Sequence, residues 1–93
     1  MKKYVKTYLN FFDYPHDQDA FIGCEYCNAR ACDIHHIKGR QMGGSKQISV
    51  VDDIHNLIAL CRKCHEYAES SKDFNKQIRI IHLKNIIKQL EHE

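Results

Sequence analysis

The chain has 93 residues, 43% hydrophobic and 28% charged, with a formal net charge of +2 and five cysteines. That length makes one domain with a small core, and that balance suits a folded globular protein and argues against disorder. A charge of +2 excludes a bulk polycation, so any nucleic-acid contact has to come from local basic clusters.

No apolar run approaches the roughly 18 to 20 residues of a membrane span, and the polar N-terminus does not read as a secretory leader. The expectation is a cytoplasmic protein. Residues 1–14 place Tyr4, Val5, Tyr8, Leu9, Phe11 and Phe12 at i, i+3, i+4 intervals. This predicts an amphipathic helix over about 3–13, ended by Pro15, that caps the core, although the aromatic content would also suit a strand. His16-Asp17-Gln18-Asp19 reads as a solvated turn.

Gly23-Cys24-Glu25-Tyr26-Cys27-Asn28 has the shape of a zinc knuckle, a turn that aims two sulfurs at one ion, and Cys61-x2-Cys64 supplies a second pair. An odd cysteine count, no visible export signal and the x2 spacing favour metal over disulfides. Cys32 is left over and is expected to be a small buried side chain. The long gap between the pairs holds Ile34-His35-His36-Ile37, which reads as a strand, and then Lys38-Gly39-Arg40-Gln41-Met42-Gly43-Gly44-Ser45-Lys46, a glycine-rich basic loop. Leu57-Ile58-Ala59-Leu60 reads as the returning strand of a hairpin, and Arg62 to about Ser70 as a helix whose first turn carries Cys64 and His65.

The segment 74–91 is helical by length and by its Ile, Leu, Lys and Gln content. Its apolar residues fall on two faces, Ile80, Leu83, Ile86, Ile87 and Leu90 on one and Phe74, Ile78 and Ile81 on the other. Either it breaks near Arg79 to His82 or it is buried on both sides, and the second allows a dimer contact. His16, His82 and His92 are expected at the surface, and His55 in a turn.

The order Cys-x2-Cys, His-His-Ile, Gly-Gly, Asn-Leu-x-x-Leu-Cys-x2-Cys-His resembles the HNH endonucleases, whose active site is a ββα-metal (His-Me) finger. The resemblance covers residues 22–70 and leaves the flanking helices outside. It implies an α+β fold, a ββα-metal finger stapled by a four-cysteine structural zinc on Cys24, Cys27, Cys61 and Cys64, in a single HNH nuclease domain over 1–93. It implies His36 as the general base and Asn56 as the residue that braces the loop and orients that base. His35 and His65 become ligands of a catalytic divalent cation. Some relatives carry a third ligand where Glu69 stands, one turn beyond His65, and Glu69 would favour Mg²⁺ or Mn²⁺, with Ni²⁺ or Zn²⁺ as further choices.

The chemistry agrees with the resemblance, because phosphodiester hydrolysis needs a deprotonated water and a cation to neutralise charge. The implied substrate is DNA, nicked or cut on both strands, with Lys38, Arg40, Lys46, Arg62 and Lys63 as phosphate contacts. Asp33 is expected to steady the hairpin through a hydrogen bond. The implied setting is a phage- or prophage-type protein beside a packaging or recombination partner, monomeric or weakly dimeric through the C-terminal helix. The alternative is a non-catalytic zinc-stapled module that binds nucleic acid or protein, but such a module has no need of His35, His36, Asn56 and His65 together.

Overall fold

The computed structural model describes residues 1–39 and 51–92. The predicted basic loop from Arg40 through Gly43, Gly44 and Lys46 therefore lies outside the described residues. Helix α1 spans Lys3–Phe11 and strand β1 Asp33–His36; a 3-10 turn at Ile54–Asn56 leads into β2, Leu57–Leu60, followed by α2, Arg62–Ser70, and α3, Lys72–Glu91. The two strands pair antiparallel, with Asp33 opposite Leu60, Ile34 opposite Ala59, His35 opposite Ile58 and His36 opposite Leu57.

All four residues of β2 are fully buried. An uninterrupted apolar run is what a strand covered on both faces requires, and alternation along the strand divides the core in two. Ile58 and Leu60 pack with Cys24, Cys64, Ala68, Phe74 and Ile78 on the side of α2 and α3. Leu57 and Ala59 pack with Tyr8 and Leu9 of α1 on the other side. The N-terminal helix thus caps one half of the core, as its aromatic stripe predicts.

That helix ends earlier than Pro15. Asp13 takes a left-handed φ of 58°, Asp13 N donates to Asn10 O at 3.3 Å and Tyr14 N to Leu9 O at 2.9 Å. These paired bonds form a Schellman ending with Asp in the position glycine usually fills.

Helix α3 is continuous through Arg79 to His82, so the expected break does not occur. Its two apolar faces have different fates: Phe74 and Ile78 are core, whereas Ile80, Leu83, Ile87 and Leu90 are exposed. His82 corrects the expectation of a surface position, being fully buried. It lies one and two turns beyond Ile78 and Phe74, on the face that packs inward. Its Nδ1 is 2.9 Å from both carboxylate oxygens of Glu25, and its Nε2 is 2.6 Å from Ile54 O. Tyr8 OH and Asn85 Nδ2 also donate to Glu25, at 2.7 and 2.9 Å.

Candidate active site

The knuckle is built by backbone bonds that turn the chain back on itself. Cys24 N donates to Ala29 O at 2.7 Å and Asn28 N to Cys24 O at 2.9 Å, with Asn28 in the left-handed region at φ 67°. Asn tolerates that conformation at low cost. Cys61 is the residue before α2 and Cys64 lies in its first turn, so a turn and a helix start present two sulfurs each. The four ligand atoms lie within 4.8 Å of one another, with Cys27 Sγ 3.6 Å from Cys61 Sγ and 3.9 Å from Cys64 Sγ.

A tetrahedron with Zn–S bonds of about 2.3 Å has edges of about 3.8 Å, so the quartet fits a structural zinc. Burial opposes ionisation of Cys24, but backbone hydrogen bonds from Cys61, Cys27 and Tyr26 outweigh it and bring the thiol down to about 7. Burial and the neighbouring thiols push Cys64 the other way. Crowded sulfurs resist carrying several negative charges without a cation between them. Cys32 does not join them: it is exposed, contrary to expectation, and its thiol donates to Asp33 Oδ2 at 3.3 Å and to Leu60 O at 3.6 Å.

Beside the zinc site, an open cleft of about 990 Å³ runs along β1, all four of whose residues line it, and His65 and Glu69 of α2 face it as well. Strand alternation places the two adjacent histidines on opposite faces of the hairpin. His35 shares its face with Ile58 and sits with its ring centroid 4.9 Å from that of His65. His36 shares its face with Leu57 and meets the Tyr4 ring of α1 edge-on at 4.5 Å. Both reach the cleft because β1 is its wall.

Each of the three imidazoles has a polar side-chain partner. His36 Nε2 is 2.8 Å from Asp52 Oδ1, and because a carboxylate oxygen accepts, Nε2 carries the hydrogen and the neutral ring keeps its lone pair at Nδ1. His65 Nδ1 is 2.9 Å from Asp33 Oδ2, which leaves Nε2 facing Glu69 Oε1 at 3.3 Å. Two electron-rich atoms at that distance describe a place for a shared proton or cation. Asp33 thus does more than steady the hairpin: it links β1 to α2. Burial opposes its ionisation, but the hydrogen bonds from His65 and Cys32 hold its carboxyl below the usual range. Burial pushes His35 below the usual imidazole value, and its hydrogen bond to Asn75 offsets this only in part, so its ring is neutral at neutral pH.

Asn56 is buried and ties the chain at Lys38 to the chain at Val51. Its Oδ1 accepts from Lys38 N at 2.8 Å, and its Nδ2 donates to Lys38 O at 3.0 Å and to Val51 O at 2.7 Å. Its own carbonyl accepts from Ile37 N at 2.9 Å, immediately after His36.

The segment containing these groups, residues 24–71, matches the model of the HNH endonucleases and spans just over half of the chain. The chain belongs to the HNH endonuclease family. Comparison with curated proteins and with solved structures finds no match. The HNH match begins at Cys24 and ends at Ser71, so the whole of α1 and the whole of α3 lie beyond it.

Of the phosphate contacts expected in this HNH chain, Lys38, Arg62 and Lys63 are exposed, and Arg62 Nη1 lies 3.5 Å from Asp33 Oδ2. None of the three lines the cleft, whereas Lys72, at the start of α3, does. Sequence reasoning missed Lys72, Asp52 and Asn75. They carry no spacing signal of their own, because what brings them to the histidines is the packing of α3 and of the chain before the 3-10 turn against the hairpin. No described helix is long and apolar enough to cross a membrane.

Proposed function

We propose that this HNH protein is a metal-dependent endonuclease that hydrolyses DNA phosphodiester bonds. The observation that carries the reading is the meeting of His35, His36, His65 and Glu69 on one cleft beside the cysteine quartet. His36 is the general base: Asp52 holds its Nε2–H, and Nδ1 takes the proton from the attacking water. Asn56 keeps the base in place by pinning Lys38 and Val51 on either side of the loop. His35, His65 and Glu69 are the ligands of a divalent cation, of which Mg²⁺ or Mn²⁺ suits the mixed nitrogen and oxygen donors. When bound, that cation would neutralise charge on the phosphate and the leaving oxygen. Lys38, Arg40, Lys46, Arg62 and Lys63, joined by Lys72, hold the DNA backbone by charge.

The chain is read as one catalytic unit over 1–93, monomeric or weakly dimeric. The exposed Ile80, Leu83, Ile87 and Leu90, spaced 3, 4 and 3 residues apart, are the self-contact of the dimeric form.

The alternative, a zinc-stapled binding module without chemistry, is favoured by one observation. Among the described residues, the four cysteines are the set of three or more donors that already converges within 4.8 Å. A plasmid-nicking assay separates the two. With Mg²⁺ or Mn²⁺ added to the zinc-loaded protein, the wild type is expected to nick, and His36→Ala to fold with its zinc and lose about 100-fold or more of the rate, the usual worth of a general base. Cleavage retained by His36→Ala removes His36 from the role, and absence of cleavage by the wild type under every metal leaves the binding module.

A further inference from the structure

We infer that Asn75, contributed by α3 from outside the matched HNH segment, is the positioning residue that fixes the tautomer of His35 and thereby presents Nδ1 as its donor atom. The backbone carbonyl of Ile37 can only accept a hydrogen bond, and the Asn75 side chain lies 2.7 Å from it. The atom facing that carbonyl is therefore the amide NH₂, which settles the orientation of the amide. Its oxygen then faces His35 Nε2 at 3.1 Å. An amide oxygen can only accept, so His35 Nε2 carries the hydrogen. A neutral imidazole protonated at Nε2 offers its lone pair at Nδ1 and nowhere else.

The local sequence explains why Asn75 stands there. Ser71 caps α3, its Oγ accepting from Phe74 N at 3.2 Å, and Asn75 N donates to Ser71 O at 3.0 Å. Phe74, immediately before Asn75, is a core residue. Cap and core residue together fix the azimuth of the first turn, and Asn75 is left against the end of β1. One side chain thus holds both the ring of His35 in β1 and the carbonyl of Ile37 just beyond the strand. His65 is served from a different direction by Asp33. Partners of this kind hold a ligating imidazole at one tautomer and one angle, and their loss costs about 10- to 100-fold in metal affinity.

The importance of the Nδ1 donor for a cation rests on the proposed nuclease reading; the tautomer does not. The test keeps them apart. In ¹⁵N-labelled, zinc-loaded protein, long-range ¹H–¹⁵N correlation is expected to show His35 with a protonated Nε2 and a bare Nδ1. Asn75→Leu is expected to lose that preference and to weaken Mn²⁺ binding, followed by electron paramagnetic resonance, about 10-fold or more. Asn75→Asp keeps an acceptor for Nε2–H but no donor for Ile37, so it is expected to retain the tautomer with a lower melting temperature. That pattern separates positioning from a purely structural role. An Nδ1–H tautomer in the wild type, or a tautomer unchanged in Asn75→Leu, overturns the inference whatever the cleavage assay gives. The expected tautomer shifts without any Mn²⁺ binding would support the positioning role and sink the cation site of the proposed function instead.

Discussion

Tyr8 illustrates how much one side chain can be held by its surroundings. It is 1% exposed, and its hydroxyl donates to Glu25 at 2.7 Å. Burial first, and then the charge of Glu25, drive its phenol far above the ordinary value. A group whose pKa is raised on folding contributes stability that is complete below its unfolded pKa, about 10 for tyrosine, and is lost as pH climbs beyond it. Tyr8→Phe is therefore expected to cost about 1.5 to 3 kcal/mol at neutral pH, the worth of a hydrogen bond to a charged acceptor. The gap to wild type should narrow from about pH 10 upward. Urea unfolding of both proteins at several pH values checks this, and a constant gap would refute it. Asn56 makes a second prediction from its three bonds to Lys38 and Val51. Asn56→Asp has the same shape but would turn a carboxylate toward two carbonyl oxygens, so it is expected to cost more than about 3 kcal/mol. The same unfolding measurement reads it, and a loss under about 1 kcal/mol, roughly the net worth of one ordinary bond, would show that the loop ends are held by other means.

At the scale of elements, α3 separates what patterning can and cannot tell. Its core face is expected to behave as core: Ile78→Ala, at a fully buried position, should cost about 2 to 5 kcal/mol. Ile87→Ala, at a position 56% exposed, should stay within about 0.5 kcal/mol. Comparable losses at both sites would mean that the outer face is covered in solution. The sequence exposes both apolar faces of this helix but not which one meets the protein, because periodicity records spacing and not the direction from which a neighbour arrives. The burial of His82 escapes a sequence reading for a related reason: its position on the Phe74 and Ile78 face is legible, but Glu25, which makes its burial tolerable, is brought there by tertiary packing from the knuckle. The hairpin and α2 are readable because Leu57–Leu60 has few other fates and both cysteine pairs announce their spacing. The partners Asp52 and Asn75 are not, since an isolated Asp or Asn in sequence points nowhere. Arg40 and Lys46 fall outside the described residues, so their expected contact with DNA rests on the sequence.

Across the molecule, Glu25 joins the zinc knuckle to both flanking helices. It accepts from Tyr8 of α1 and Asn85 of α3 and faces His82, which in turn meets Ile54 O. A hub of this kind means that the knuckle and the helices should come apart together, because releasing one strands a carboxylate that is 7% exposed. His82→Leu, which removes the ring nitrogens that face Glu25 and Ile54 O but keeps the bulk, leaves a buried carboxylate short of a partner and is expected to cost about 3 to 5 kcal/mol. The same connection makes zinc a determinant of the whole fold. A structural zinc in small domains contributes about 10 to 16 kcal/mol of apparent binding free energy, against a total stability of about 5 to 15 kcal/mol for a domain. Chelation is therefore expected to unfold the protein in one cooperative transition, with the helical circular dichroism of α1 and α3 lost together with the zinc. Once unfolded, the thiols return to about 8.5, so refolding around the metal must release their protons. The chelator concentration at the midpoint should consequently fall as pH is lowered from about 8 to 6, because protons compete with the metal for the thiolates. Helices that persist after zinc is removed would show that the Glu25 hub and the two-sided core suffice to hold the fold, and that the cysteine quartet staples the knuckle alone.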